Sequence, residues 1–345
     1  MDQLLGAQQK LLPEMTALLQ KRYRVLMTIQ LTAGIGRRAL SEIVHLTERE
    51  TRRELDILRA QGLIHVLANG MEITQEGNDV LDSLKNLVHE WSGLSELEKQ
   101  LEKNFKLSRV IIVPGDSEKE SQAKSLIGQE AAKQLEQLSK ERDTVAVTGG
   151  STIAAITNHL SVHIKPKNLV FVAARGGIGE NVELQANHIA SAFAAQASGT
   201  SRTLYLPDHL SETAYKTMIK EPVIKEMMDL YDHTNIVIHG IGDAKEMAKR
   251  RNSSLEELDI ISEKQAVGEA FGYYFNEQGK AVHRIRTVGI QLKQLNQVKH
   301  LLAVAGGASK ASAMLSYLKH APHQTVLITD EGAAKNLTQL MSNEN

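Results

Sequence analysis

Seven short runs rich in β-branched residues, each separated from the next by a helical pattern, constrain this chain more than any other feature. They fall at 110–113, 145–147, 169–172, 203–206, 236–238, 301–304 and 326–328. Strands alternating with helices bury both faces of a sheet, so residues 107–345 are expected to form a Rossmann-like α/β domain around a parallel sheet. Ligands of such sheets bind beyond the carboxyl ends of the strands, where glycine turns open helices. Two turns have this form. Val147-Thr148-Gly149-Gly150-Ser151-Thr152 leads from a strand through a glycine pair to two hydroxyls, and Val304-Ala305-Gly306-Gly307-Ala308-Ser309-Lys310 repeats the arrangement with a lysine. Glycine lets backbone N–H groups approach an anion, and Ser, Thr or Lys adds donors, so both are predicted phosphate cradles. Neither has Walker spacing and no G-x-G-x-x-G follows a strand, which argues against a nucleotide. Arg175, before Gly176-Gly177, and Arg250-Arg251, after Gly240-Ile241-Gly242, bring charge to a second anion, with surface ion pairing the alternative for Arg251. Together they exceed what one phosphate can use, so the expected ligand carries two.

Residues 1–75 have a different pattern. Leu4, Leu5, Leu11, Leu12, Met15, Leu18 and Leu19 share a helix face that Pro13 starts or kinks, and a second apolar-periodic stretch spans 23–31. A short helix through Arg38 and Leu40 turns at His45-Leu46. Thr47 and Glu50 then form a capping box for a helix over 48–61. At about 100° per residue, Thr51, Leu55 and Leu58 face inward while Arg49, Arg52 and Arg53 cluster outward, the layout of a recognition helix entering the major groove. Arg37, Arg38 and Thr47 complete the expected DNA contacts. Strands over 62–66 and 71–74, joined at Asn69-Gly70, read as a wing. This is a winged helix-turn-helix. Residues 76–106 follow as a helical linker whose Leu84, Leu87, Trp91, Leu94 and Leu101 approximate a heptad seam, broken at Ser92-Gly93 and restarted by a Ser95/Glu98 capping box. Self-association, from dimer to tetramer, is expected there.

The chain has no cysteine, so disulfides, thiolate nucleophiles and zinc-thiolate sites are excluded. Forty basic against 41 acidic residues give a net charge of −1, so double-stranded DNA must be met by local charge. No apolar run is long enough for a bilayer and no basic leader opens the sequence, which places the protein in the cytoplasm without a membrane partner. Ser151 lacks the G-x-S-x-G frame of a nucleophile elbow. His159 and His163, flanking a predicted helix over 160–165, are a poor metal pair. Neither catalysis nor a metal is expected, and no cofactor is called for.

The ordered motifs of the last two thirds resemble the SorC family of sugar-responsive bacterial transcriptional regulators. They are Val147 to Thr152, Leu206-Pro207 to Glu221-Pro222, Gly240-Ile241-Gly242, Ala266-Val267-Gly268-Glu269 before Gly272-Tyr273-Tyr274-Phe275, Val304 to Gly307 with Lys310, and Thr329-Asp330-Glu331. Gly149 stands where the family often has Trp, and Glu269 where Asp is usual. The resemblance implies a repressor of glycolytic genes, tetrameric on DNA and induced by fructose 1,6-bisphosphate. It places one phosphate on Gly150, Ser151, Thr152, Gly307 and Lys310, the other on Arg175 and Arg250, and the sugar on Gln185 and Glu269. The sheet also resembles sugar-phosphate isomerases and deaminases, so an enzyme of that class is the alternative. Against it, Gly240-Ile241-Gly242 runs into Asp243-Ala244-Lys245, without the histidine those deaminases use for proton transfer.

Overall fold

A computed structural model of the chain describes residues 11–177 and 181–344. The chain divides into two compact units between Glu96 and Leu97.

In the first unit, the first apolar-periodic stretch from Pro13 on and the second stretch form one helix, Pro13–Leu31, which Pro13 starts from its first turn, where a missing N–H costs nothing. Leu4 and Leu5 lie outside the described residues. Arg37–Val44 and Glu48–Ala60 form the helix-turn-helix, joined through His45 in the left-handed region. Val25, Leu26, Ile29, Leu40, Val44, Leu55, Leu58 and Met71 close a single core. Glu54 is buried on the inward face and pairs with Lys21 (2.7 Å) and Arg22 (2.8 Å) of the first helix.

The wing is an antiparallel hairpin of β1 (Ile64–Leu67) and β2 (Gly70–Ile73). Its turn residues are Ala68 and Asn69, neither with positive φ, so the Asn-Gly pair does not form the turn that the sequence predicts. Gly70 is needed for another reason. Met71 exchanges hydrogen bonds with Gly34 and Ile35, and a β-carbon on Gly70 would lie 2.0 Å from the Gly34 oxygen. Gln75–Trp91 and Leu94–Phe105 follow as two helices broken at Ser92-Gly93, as expected. Ser95 is already inside the second helix, so it is not the cap.

The second unit holds seven parallel strands: β3 (Arg109–Val113), β4 (Thr144–Val147), β5 (Val170–Ala173), β6 (Thr200–Arg202), β7 (Ile236–His239), β12 (His300–Val304) and β13 (Thr325–Asp330). Their order is β3-β13-β12-β7-β4-β5-β6. Six match the predicted runs. The run at 203–206 is not a strand: β6 lies just before it, and the Leu204 N–H and C=O bond the Asn187 side-chain amide instead. One face of the sheet packs against Ile127 and Leu135 of helix Ser121–Leu138 together with Ile189 and Phe193 of helix Ala186–Ala197, and the alternate residues Ala146, Val172, Val237 and Ala303 on the other face are buried as well. At the β3 edge, the outward N–H groups of Val110 and Ile112 donate to Glu102 and Glu98 of helix Leu94–Phe105, each at 2.8 Å. A smaller antiparallel sheet, absent from the sequence reading, comprises β8 (Gly242–Asp243), β9 (Ala266–Ala270), β10 (Tyr273–Asn276) and β11 (Ala281–Arg284). The helix expected at 160–165 is a 3₁₀ segment, Val162–Lys167, that contains Pro166.

The chain leaves β4 toward β5 and β6, yet continues from β7 toward β12 and β13. The order reverses between β4 and β7, and a crevice must open beyond their carboxyl ends.

Candidate functional site

A cleft of about 520 Å³ occupies that crevice. Its floor is the turn after β4. Gly150 has φ +120°, a conformation that a β-carbon resists, and its N–H donates to Leu184 C=O (2.8 Å). The first bond of helix Ser151–Ala154 runs from Ala154 N–H to Gly150 C=O (2.9 Å). Ser151, Thr152 and Ile153 precede it, so their N–H groups have no acceptor in the turn, and all three line the cleft. Thr148 ties this turn to the one after β7 by accepting from Gly240 N–H (3.2 Å).

Gly149, Gly150, Ser151, Thr152, Arg175, Gln185, Arg250, Glu269 and Lys310 all border the cleft. Lys310 is largely buried, and burial first, then repulsion from Lys124 and Arg250, holds its ammonium below the usual lysine range; Glu118 and Asp330 oppose the effect. Arg250 makes no ion pair among the described residues. Two cations that repel each other beside unsatisfied N–H groups form a site that an anion relieves.

Arg175 has a different setting from the one predicted. It grips Asp208 through Nε and Nη2, both at 2.8 Å, and reaches Glu269 Oε1 at 3.0 Å. Arg251, treated at sequence level as a possible surface pair, is buried beside it. It donates to Asp208 (2.8 Å), Glu269 (2.8 Å) and Tyr274 Oη (2.9 Å). Glu269 Oε1 also accepts from Gly272 N–H (2.6 Å), which leaves Oε2 as the oxygen without these bonds. Two arginines and two carboxylates thus balance, so Arg175 is not a ready cation for a second phosphate. Asp208 was missed, and Arg251 was expected to serve a second anion or a surface pair rather than a buried ion group, because the partners of both are distant in sequence.

Gly306 and Gly307 do not line the cleft. The N–H groups of their turn are taken by protein carboxylates: Gly307 by Asp330 (2.8 Å), Ala308 by Asp116 (3.4 Å) and Ser309 by Glu118 (3.1 Å). Of the second predicted cradle, only Lys310 reaches the cleft. No histidine lines it. The neighbouring His239 is fully buried, with Nδ1 on Gly240 C=O (3.0 Å) and Nε2 on Tyr317 Oη (3.2 Å), and burial pushes its pKa down to about 4. Among the described residues no group of His, Asp and Glu could hold a metal, and no helix is long and apolar enough to cross a membrane.

In the first unit, Thr47 Oγ1 accepts from Glu50 N–H (3.2 Å) and Glu50 accepts from Thr47 N–H (3.0 Å), the predicted capping box. Arg49, Arg52 and Arg53 are exposed and line one shallow groove with Asp56 and Ile57. None has an ion pair among the described residues. Arg37 and Arg38 are exposed on the preceding helix, Arg38 beside Glu42 (3.4 Å).

Comparison with known proteins agrees with both units. Residues 89–339 match the family model described as "Putative sugar-binding domain", and residues 18–88 match the CggR N-terminal DNA binding domain. The chain is 44% identical over 337 residues to the central glycolytic genes regulator of Bacillus subtilis, covering 98% of this chain and 99% of that one. Identity is 45% to the protein of the same name from Priestia megaterium, with the same coverage. Among solved structures, "the putative SorC family transcriptional regulator from Enterococcus faecalis" is 41% identical with a TM-score of 0.67, covering 70% of this chain and 99% of its own. The full-length sorbitol operon regulator of Klebsiella pneumoniae shares the fold at 19% identity, with a TM-score of 0.63 over 91% of this chain and 98% of its own. The full-length relatives are transcriptional regulators and not enzymes, so the isomerase or deaminase alternative falls.

Proposed function

Because this chain belongs to the SorC family of sugar-binding transcriptional regulators, we propose that it represses glycolytic genes in the cytoplasm as a DNA-bound oligomer, with fructose 1,6-bisphosphate as inducer. One observation carries the effector assignment: Lys310 and Arg250, two cations of the cleft without an ion pair among the described residues, stand beside the unsatisfied N–H groups of the turn after β4. The first phosphate is held there, with Gly149 and Gly150 shaping the turn and Ser151 and Thr152 donating. Gln185 and Glu269 Oε2 take sugar hydroxyls. The second phosphate draws on Arg175 by exchanging one of its carboxylates for phosphate oxygens.

That exchange gives the bisphosphate a means of switching that a monophosphate lacks. Moving a two-state equilibrium from 1:99 to 99:1 needs about 5.5 kcal/mol of preference for one state. A ligand that also rearranges the Arg175, Arg251, Asp208 and Glu269 group binds the two states unequally. Arg49, Arg52 and Arg53, with Arg37 and Arg38 on the preceding helix and Thr47 at the cap, form the DNA contact face.

The test is fluorescence anisotropy on DNA from upstream of a glycolytic operon, titrated with fructose 1,6-bisphosphate, fructose 6-phosphate and inorganic phosphate. The bisphosphate should release the protein while the monophosphate and phosphate bind without release, and Lys310→Ala or Arg250→Ala should weaken all three by about ten-fold. Equal release by mono- and bisphosphate would refute the second phosphate, and no loss in either variant would refute the cleft as the effector site.

A further inference from the structure

Asp330, at the carboxyl end of β13, is a fully buried carboxylate without a cation in hydrogen-bond contact among the described residues. Its charge is met by three backbone N–H groups from three segments. Oδ2 accepts from Ser117 (2.8 Å), in the segment after β3, and from Gly307 (2.8 Å), in the turn after β12. Oδ1 accepts from Ala333 (2.8 Å), in the first turn of helix Glu331–Glu344. The approach is close enough that a β-carbon on Gly306 would lie 2.5 Å from Oδ2. Three residues after Gly307 the same turn delivers Lys310, whose N–H donates to Gly307 C=O (3.1 Å) and whose side chain reaches the cleft.

A lysine on a four-carbon stem owes its position to the backbone that carries it, and here that backbone is held by Asp330 at Gly307, at the start of the turn, with Asp116 and Glu118 on Ala308 and Ser309 after it. With the cleft read as an anion site, as proposed above, we infer that Asp330 is a positioning residue for the effector: it never touches the ligand, but it fixes the Gly306–Lys310 turn so that the ammonium of Lys310 meets the phosphate. The carboxylate also offsets, through space, part of the repulsion that Lys310 feels from Lys124 and Arg250. Asp330 thus acts on the affinity for any phosphorylated ligand, with no part in choosing the sugar.

A double-mutant cycle on the full-length chain tests this, with inorganic phosphate and fructose 1,6-bisphosphate as calorimetric probes. Asp330→Asn puts an amide where two N–H donors converge and should weaken both probes about ten-fold, as Lys310→Ala does. In the Lys310→Ala background the same change should cost nothing further, because the lysine through which it acts is gone. It should also move the alkaline limit of phosphate binding to lower pH. If Asp330→Asn does not fold, Gly306→Ala replaces it, since its β-carbon forces the turn off an intact carboxylate. Additive losses in the double mutant, or unchanged affinity in a folded variant, would overturn the positioning role while leaving the cleft intact. Failure of the wild type to bind either probe would overturn the cleft itself, and Asp330's role with it.

Discussion

His239 shows how a single buried side chain adds to the acid sensitivity of this protein. Its ring lies against Phe271 (4.6 Å between centroids) and Tyr317 (5.0 Å), and both nitrogens are engaged, so the native protein keeps it neutral down to about pH 4. The unfolded chain protonates it near 6.5. Between those values the unfolded state binds a proton that the native state refuses, so stability falls as pH drops from 6.5 toward 4, by at most about 1.4 kcal/mol per unit. Urea midpoints recorded across that window should fall steadily for the wild type and less steeply for His239→Gln. Equal slopes would assign acid sensitivity to other groups. Arg251 teaches the opposite lesson about reading a residue from its neighbours in sequence. Beside Arg250 it looked like a charge for a second anion or a surface pair, yet Arg250 stays exposed while Arg251 completes a buried ion group with Asp208 and Glu269. The partner positions, 208 and 269, have no local spacing that a sequence could display.

At the scale of elements, the helix Glu48–Ala60 was fully legible. Its start lies in a capping box, its inward face in Thr51, Leu55 and Leu58, and its outward face in three arginines, all within local reach. Replacing Arg49, Arg52 and Arg53 with alanine should remove specific operator binding, since each bidentate guanine contact contributes about 1–3 kcal/mol of discrimination. Losing phosphate contacts should also flatten the salt dependence, by about 0.9 in the log–log slope for each. Circular dichroism should be unchanged, because none of the three packs into the core. Operator affinity equal to wild type at fixed salt would mean that another face meets DNA. The parallel strands were legible for a similar reason: a strand buried on both faces is a continuous apolar run. The small antiparallel sheet was not, because Ala266-Val267-Gly268-Glu269-Ala270 has neither clean alternation nor branched enrichment. Its glycine is fixed by packing, with a β-carbon there lying 2.3 Å from Ser316 Oγ. The second glycine turn was recognised in form and misjudged in role. The carboxylates that fill it come from residues 116, 118 and 330, which are close only after folding.

For the molecule as a whole, the regulation proposed above has the ligand state alter how DNA-binding units are presented in pairs, since half-sites repeat about one helical turn apart. The helix Gln75–Trp91 leaves Leu84 and Leu87 only half-buried, the face proposed here for self-association. Light scattering should find the wild type as a dimer or larger, and Leu84→Glu with Leu87→Glu should reduce it to a monomer whose effector affinity is retained. A monomeric wild type at micromolar concentration would end that proposal. Self-association through the β3 edge of the sheet is closed off by a feature with its own practical meaning. Glu98 and Glu102 seal the outer margin of β3 by taking the donors that another strand would seek, each of which would otherwise stand idle at a cost of about 1–3 kcal/mol. The sugar-binding unit therefore does not begin at its first strand. A fragment cut at residue 107 would carry an open ladder ready to be templated by its own copies, whereas one begun before Leu94 brings its seal with it. The helix that leads away from the DNA-binding unit is in this sense a chaperone in cis for the sheet that follows.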